Sequence, residues 1–124
     1  MSGIEISRVI VTTVWAQDVQ AATHFYQNVL CLEPFTDSGH EAYPHFKLGE
    51  GYLVILEGEP RPAKNAQPDH FPIFAMAVSD IDRAVDQLKT NNVDLPWGVQ
   101  DQDHNRWVAF HDPAGNLIEL AQDQ

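Results

Sequence analysis

An internal repeat constrains this chain more than any other feature. Asp18 and Asp80 each precede a stretch with apolar residues at helical spacing, and they stand 62 positions apart. At that offset Val19 falls on Ile81, Ala22 on Ala84 and Tyr26 on Leu88; further along, Phe46 falls on Val108 and Leu48 on Phe110. Past the second hairpin the loop is two residues longer, so Leu53 pairs with Leu117, Ile55 with Glu119 and Leu56 with Leu120, an offset of 64. Each half is too small to bury a sheet face alone, so the two must pack around a shared surface.

The same order of elements fills both halves. Ser7 to Trp15, rich in Val, Ile and Thr, reads as a strand. Asp18 then caps a helix whose Val19, Ala22, Phe25, Tyr26, Val29 and Leu30 recur at helical spacing. Three short strands follow between Glu33 and Leu56, broken at Ser38-Gly39 and at Gly49-Glu50-Gly51. Residues 57–72 hold four prolines and little apolar material, which marks a connector. Ile73 to Val78 starts the second round. Asp80 caps a helix with Ile81, Ala84, Val85 and Leu88 on one face, and Asn91-Asn92 ends it. Weak strand material around Trp97 to Val99, a strand from Arg106 to Phe110, a turn and a strand from Asn116 to Ala121 complete it. The chain is thus α+β: two tandem βαβββ modules, about residues 4–58 and 72–124, joined by a connector at 59–71.

At 124 residues and 44% hydrophobic, the chain suffices for one compact domain. Seven Lys and Arg face eighteen Asp and Glu, a formal charge of -11 that repels a phosphate backbone, so nucleic acid is not an expected partner. No apolar run is long enough for a membrane span, and no basic stretch with an apolar segment opens the sequence, so a cytoplasmic protein is expected. Cys31 is the single cysteine. It excludes an internal disulfide, fits a reducing compartment, and reads as a small half-buried hydrophobe at a helix end.

The chemistry concentrates in the last strand. Asp112-Pro113-Ala114-Gly115-Asn116 is tight-turn sequence, and the strand it feeds is apolar on both faces except for Glu119. A buried, unpaired carboxylate costs several kcal/mol, so Glu119 has a partner, holds a proton or faces a cleft. The plainer reading pairs it with Lys47 or Arg106 as a structural carboxylate. The functional reading gives it a raised pKa and a role as general acid or base, or as the anchor for a cationic ligand.

Asp18-Val19 with Ala22 and Phe25-Tyr26, Val78-Ser79-Asp80-Ile81, and Asp112-Pro113-Ala114-Gly115-Asn116 running into Ile118-Glu119-Leu120 together resemble the vicinal oxygen chelate superfamily. Its members include glyoxalase I, extradiol dioxygenases, fosfomycin-resistance enzymes and bleomycin-resistance proteins. The resemblance implies a half-open eight-stranded barrel around a cleft, the glyoxalase/bleomycin-resistance fold, commonly assembled as a homodimer. It also implies four metal-ligand positions, in the first and last strand of each module, which here fall on Val11, Ile55, Ile73 and Glu119. Three of these are hydrocarbon, and a divalent ion needs about three N or O donors from the protein, so no cofactor is expected. The alternative is a divalent metal held by Glu119 with His45, His70 or His104. Of the six histidines, His24, His40, His70 and His111 read first as solvated.

With Val11 facing the cleft, strand parity adds Thr13 and Trp15, then Leu53, Ile55 and Glu57, then Ile73, Ala75 and Ala77, then Leu117, Glu119 and Ala121. Trp107 and Ala109 join from the neighbouring strand. His45 faces away from Phe46 and Leu48, which lie under a helix, His104 is a further candidate for the site, and Trp97 sits at the rim. Trp15 and Trp107 read either as core filler or as stacking surfaces for a flat ligand. The leading expectation is a protein that binds a small, mostly apolar or aromatic molecule, cations included. The alternatives are a lyase, isomerase or dioxygenase using Glu119, and a dimer with a vestigial pocket.

Overall fold

A computed structural model describes residues 3–35, 43–60 and 72–123. The first module contributes β1 (Val11–Ala16), α1 (Val19–His24), a π-helical segment (Phe25–Val29), β2 (His45–Leu48) and β3 (Gly51–Glu57). The second contributes β4 (Ala75–Val78), α2 (Ile81–Thr90), β5 (Val99–Gln102), β6 (Asn105–His111) and β7 (Leu117–Gln122). These strands form two open sheets, a three-stranded one in the order β1-β3-β2 and a four-stranded one in the order β4-β7-β6-β5. One continuous eight-stranded surface is not formed among the described residues. At the missing position Glu33–Phe35 runs beside β2, with Phe35 N–H donating to His45 O and Lys47 N–H to Glu33 O, both at 2.9 Å. Pro34 between them has no N–H to give, and its pairing with Phe46 stays an isolated bridge. The break expected at Ser38-Gly39 lies outside the described residues, as does most of the connector.

Both aspartate caps are observed. Asp18 Oδ1 accepts from Ala21 N–H at 3.0 Å and Asp80 Oδ1 from Arg83 N–H at 3.1 Å, each satisfying a helix-start donor that would otherwise be orphaned. The first helix then departs from regular geometry. Leu30 N–H reaches back five residues to Phe25 O, and the wider turn goes with burial of both Phe25 and Tyr26. Cys31, with φ +59°, is exposed rather than half-buried.

The core face of each sheet lies under its helix. Phe46, Leu53 and Ile55 of the first sheet and Val108, Phe110 and Ile118 of the second share one apolar cluster with Ala22, Tyr26, Ile81, Val85 and Leu88. One polar knot sits inside it. Asp112, 4% exposed, accepts from Tyr26 O–H at 2.6 Å, from Ala114 and Asn116 N–H, and from Asn116 Nδ2 at 2.8 Å. The same Asn116 amide donates to Trp15 O at 2.9 Å, so one turn ties the first helix and the first strand to the second module. Burial, then the Asp112 charge and hydrogen bond, push the Tyr26 phenol far above its ordinary range, and it stays protonated as the donor.

Tyr26→Phe removes one charge-assisted hydrogen bond and is expected to cost about 1.5–3 kcal/mol in urea unfolding. Asp112→Ala strands three donors and a phenol, and is expected to cost more than Tyr26→Phe. Equal losses in the two variants would show that the turn does not act as a unit.

Candidate functional site

Strand register decides which side chains share a face with Glu119. In the second sheet Glu119 sits between Ala75 of β4 and Ala109 of β6. The next row runs Ala77, Ala121, Trp107 and Gln100, and the preceding one pairs Leu117 with His111. This is the face expected for Ala75, Ala77, Trp107, Ala109, Leu117, Glu119 and Ala121. Two alanines flank the carboxylate, so its immediate walls are methyl groups and its surroundings are apolar.

The first sheet corrects the expectation by one residue. Val11 pairs with Tyr52, Thr13 with Val54 and Trp15 with Leu56, and His45 pairs with Val54 on its other side. Tyr52, Val54 and Leu56 therefore share the face of Val11, Thr13 and Trp15, together with His45 and Lys47. Ile55 and Leu53, both 0% exposed, belong to the opposite face and the core, and Ile55 does not line the cleft. Glu57 goes with them to the face opposite Trp15. Thr13 and Ala75 pair with Val54 and Glu119, which makes the true offset in the closing strands 65, not 64. The four-residue run Leu53-Val54-Ile55-Leu56 has no alternation, so its phase rests on counting through a hairpin loop, where one residue inverts every side chain.

The first face also carries an aromatic cluster that sequence reading missed. Tyr43 stacks on His45 with ring centres 4.6 Å apart, His45 meets Tyr52 edge-on at 6.3 Å, and Tyr52 meets Phe35 edge-on at 5.1 Å. Alternation of His45 and Lys47 with Phe46 was the only signal pointing there. Trp15 is 45% exposed and Trp97 55%, so neither is core filler. The Trp15 ring lies against Gly58, where an added Cβ would come within 2.8 Å of Cε3. Trp97 packs obliquely near His111 at 6.3 Å, consistent with a rim position. Ile73 is exposed just before β4.

Glu119 has no ion pair or side-chain hydrogen bond among the described residues, and burial raises its pKa above the ordinary carboxylate range. The cations that sequence offered as partners are engaged elsewhere. Lys47 pairs with Glu33 at 3.2 Å, and Arg106 reaches Asp82 at 3.0 Å and Asp101 at 3.7 Å. The purely structural reading of Glu119 therefore loses both of its proposed partners.

The positions that carry metal ligands by resemblance become Val11, Val54, Ile73 and Glu119 once the register is corrected. The donor set does not fit a divalent ion: three of its four members have no lone pair. Among the described residues no group of three His, Cys, Asp or Glu is arranged to hold one. His45 lies in the other sheet, and His104, at φ +67°, forms the tip of the β5–β6 hairpin five residues from Ala109, about 17 Å of extended chain. His40 and His70 lie outside the described residues.

The family model described as the Glyoxalase/Bleomycin resistance protein/Dioxygenase superfamily matches residues 8–120. The chain belongs to this superfamily. A lactoylglutathione lyase from Agrobacterium tumefaciens superposes with a TM-score of 0.72 at 23% identity, over 94% of each chain. The antibiotic binding protein TnmS3 from a Streptomyces species gives 0.74 at 22% identity, over 98% of this chain and all of that one. The fosfomycin resistance protein FosX from Mesorhizobium loti gives 0.69 at 16% identity, over 98% and 95%. No curated protein matches the chain. At these identities the neighbours establish the shared fold, and superfamily members with this fold carry out unlike tasks. No helix among the described residues is long and apolar enough to cross a membrane.

The raised pKa of Glu119 gives a signed prediction. Burial penalises the carboxylate, so the folded chain loses stability as pH rises from the ordinary glutamate range through the higher folded pKa. Glu119→Gln carries no such penalty. Its melting temperature is expected to match the parent protein below about pH 4 and to exceed it at pH 8. A variant less stable than the parent at pH 8 would mean that the carboxylate is held by a favourable partner.

Proposed function

We propose that the cleft face of this superfamily member binds a small, mostly apolar or aromatic molecule, with a cationic group set against Glu119, and that it does so without a metal cofactor. The observation that carries the reading is the unpaired Glu119 carboxylate between Ala75 and Ala109. A cation placed there recovers the Coulomb energy that the fold leaves unclaimed, and Trp107 supplies a flat apolar neighbour. Val11, Thr13, Trp15 and His45 on the first sheet, with Trp97 and Ile73 at the edges, supply the rest of an aromatic and aliphatic surface. His104 stands at the periphery.

A homodimer is part of the same proposal. Among the described residues most of the large exposed hydrophobic side chains lie on β1 and the segment before it, Ile4 (91% exposed), Ile6, Val9, Ile10, Val11 and Trp15, or just before β4, at Ile73. β1 and β4 are both edge strands with unpaired backbone groups, the kind of edge that proteins cover. A second copy laid against these edges would join the sheets into the half-open barrel and close the cleft. One exposed thiol, Cys31, fits a cytoplasmic setting.

The raised pKa of Glu119 favours a second reading, a lyase or isomerase in which the protonated or ionised carboxyl moves a proton on a bound substrate.

Tryptophan quenching with proflavine, an aromatic cation, and anthracene-9-carboxylate, an aromatic anion, tests the binding reading. Proflavine is expected to bind at least tenfold more tightly, and Glu119→Gln to remove that preference. Equal binding of the two by the parent protein would contradict it. Elemental analysis of untagged protein is expected to find no stoichiometric metal; a metal lost in Glu119→Gln would overturn the metal-free reading. By light scattering the chain is expected to be a dimer and Ile6→Lys/Ile10→Lys a folded monomer. A parent protein that is itself monomeric would remove the dimer from the proposal.

A further inference from the structure

The repeat creates two junctions between modules, and they are filled differently. At the first, the end of α1 meets the β6–β7 turn, where Tyr26 is bonded to Asp112 and Phe25 lies 6.2 Å from Phe110. What remains there is a depression of about 320 Å³ between Asp18 and Ala21 on one side and Pro113 and Ala114 on the other. At the second, α2 meets the β2–β3 hairpin of the first module. The repeat mate of Tyr26 is Leu88, and strand register, which makes the offset between β2 and β6 64 rather than the expected 62, moves the mate of Leu48 from Phe110 to Asp112. Neither can reach across as a phenol and a carboxylate do. The result is an apolar groove of about 910 Å³, walled by Leu32, Leu48, Met76, Ala84, Leu88 and Leu120. Its lining follows β4 from Phe74 to Val78 and the inner side of α2, and reaches Val9 and Thr12 at the β1 edge; Glu119 is not part of it.

The groove has a charged end. Arg83, on the first turn of α2, borders it with an exposed guanidinium that makes no ion pair among the described residues. The nearby Asp80 carboxylate is engaged by the Arg83 backbone N–H. In a chain of net charge -11, an unpaired arginine at the mouth of an apolar groove is a local reversal of sign.

We propose that this second junction is a ligand site distinct from the cleft, taking an elongated apolar monocarboxylate whose chain lies along Met76 and Leu88 and whose carboxylate meets Arg83. The volume is in the range of small-molecule pockets, and the guanidinium geometry suits a carboxylate.

Met76 and Met1 are the only methionines, so a [methyl-13C]methionine label places a single probe in the groove. Sodium decanoate, added below its micelle concentration, is expected to shift the Met76 methyl resonance with saturation at one per chain. Arg83→Gln, a change on an exposed turn, is expected to weaken decanoate about tenfold. Gln87→Trp, at the repeat mate of Phe25, is expected to fill the groove and abolish binding; if that variant does not fold, Arg83→Gln alone decides. An unmoved Met76 resonance, or equal affinity in Arg83→Gln, overturns the proposal. So does a Met76 resonance that shifts with protein concentration alone, which would mean that a second copy fills the groove.

Discussion

The hydrogen bond from Tyr26 to the buried Asp112 is the constraint on which the arrangement of the two modules depends. A carboxylate this deeply buried is tolerated because four donors converge on it, two from the backbone of its own turn. Removing any of them leaves a charge short of solvation, so the turn, the end of α1 and, through Asn116, the backbone of Trp15 are held in one geometry. That geometry in turn sets where the cleft faces of the two sheets begin.

Much of this was legible in the sequence, for reasons tied to particular residues. The aspartate caps at 18 and 80 and the helical spacing behind them are local signals, and they fixed the repeat and both helix starts. In the second sheet the polar Glu119 among apolar neighbours marked the phase of β7, and the residues expected on its face do share that face. In β3 no polar residue marks the phase, and a count through the hairpin put Ile55 in the cleft when it is in the core. The pairing of Tyr26 with Asp112, 86 residues apart, has no local signature, nor does the aromatic cluster of Phe35, Tyr43, His45 and Tyr52, which forms only when β2 and β3 align. At Pro34 the described residues form only an isolated bridge, as its absent N–H requires.

The superfamily scaffold leaves function to the side chains set on its sheet faces, and in this chain the faces turned from the core carry mostly hydrocarbon and aromatic groups, with Thr13, His45, Lys47, Gln100 and His111 among them and the one carboxylate of Glu119. The hydrocarbon side chains at the three other metal-ligand positions also leave Glu119 without a charged partner among the described residues. An ionised carboxylate in that setting is either a cost carried by the fold or an attraction reserved for a ligand, and both follow from the same desolvation. The two junctions show the repeat diverging in a comparable way: one copy became a polar clasp, while the other kept aliphatic residues and an opening.

The most direct test of this account is the pH titration of the Glu119 side-chain 13Cδ resonance, assigned by its absence from the Glu119→Gln spectrum. The account predicts a midpoint above the ordinary glutamate value in the free protein and a downward move when an aromatic cation is bound. A midpoint at or below the ordinary value in the free protein would show that Glu119 already has a cationic partner, and would contradict it.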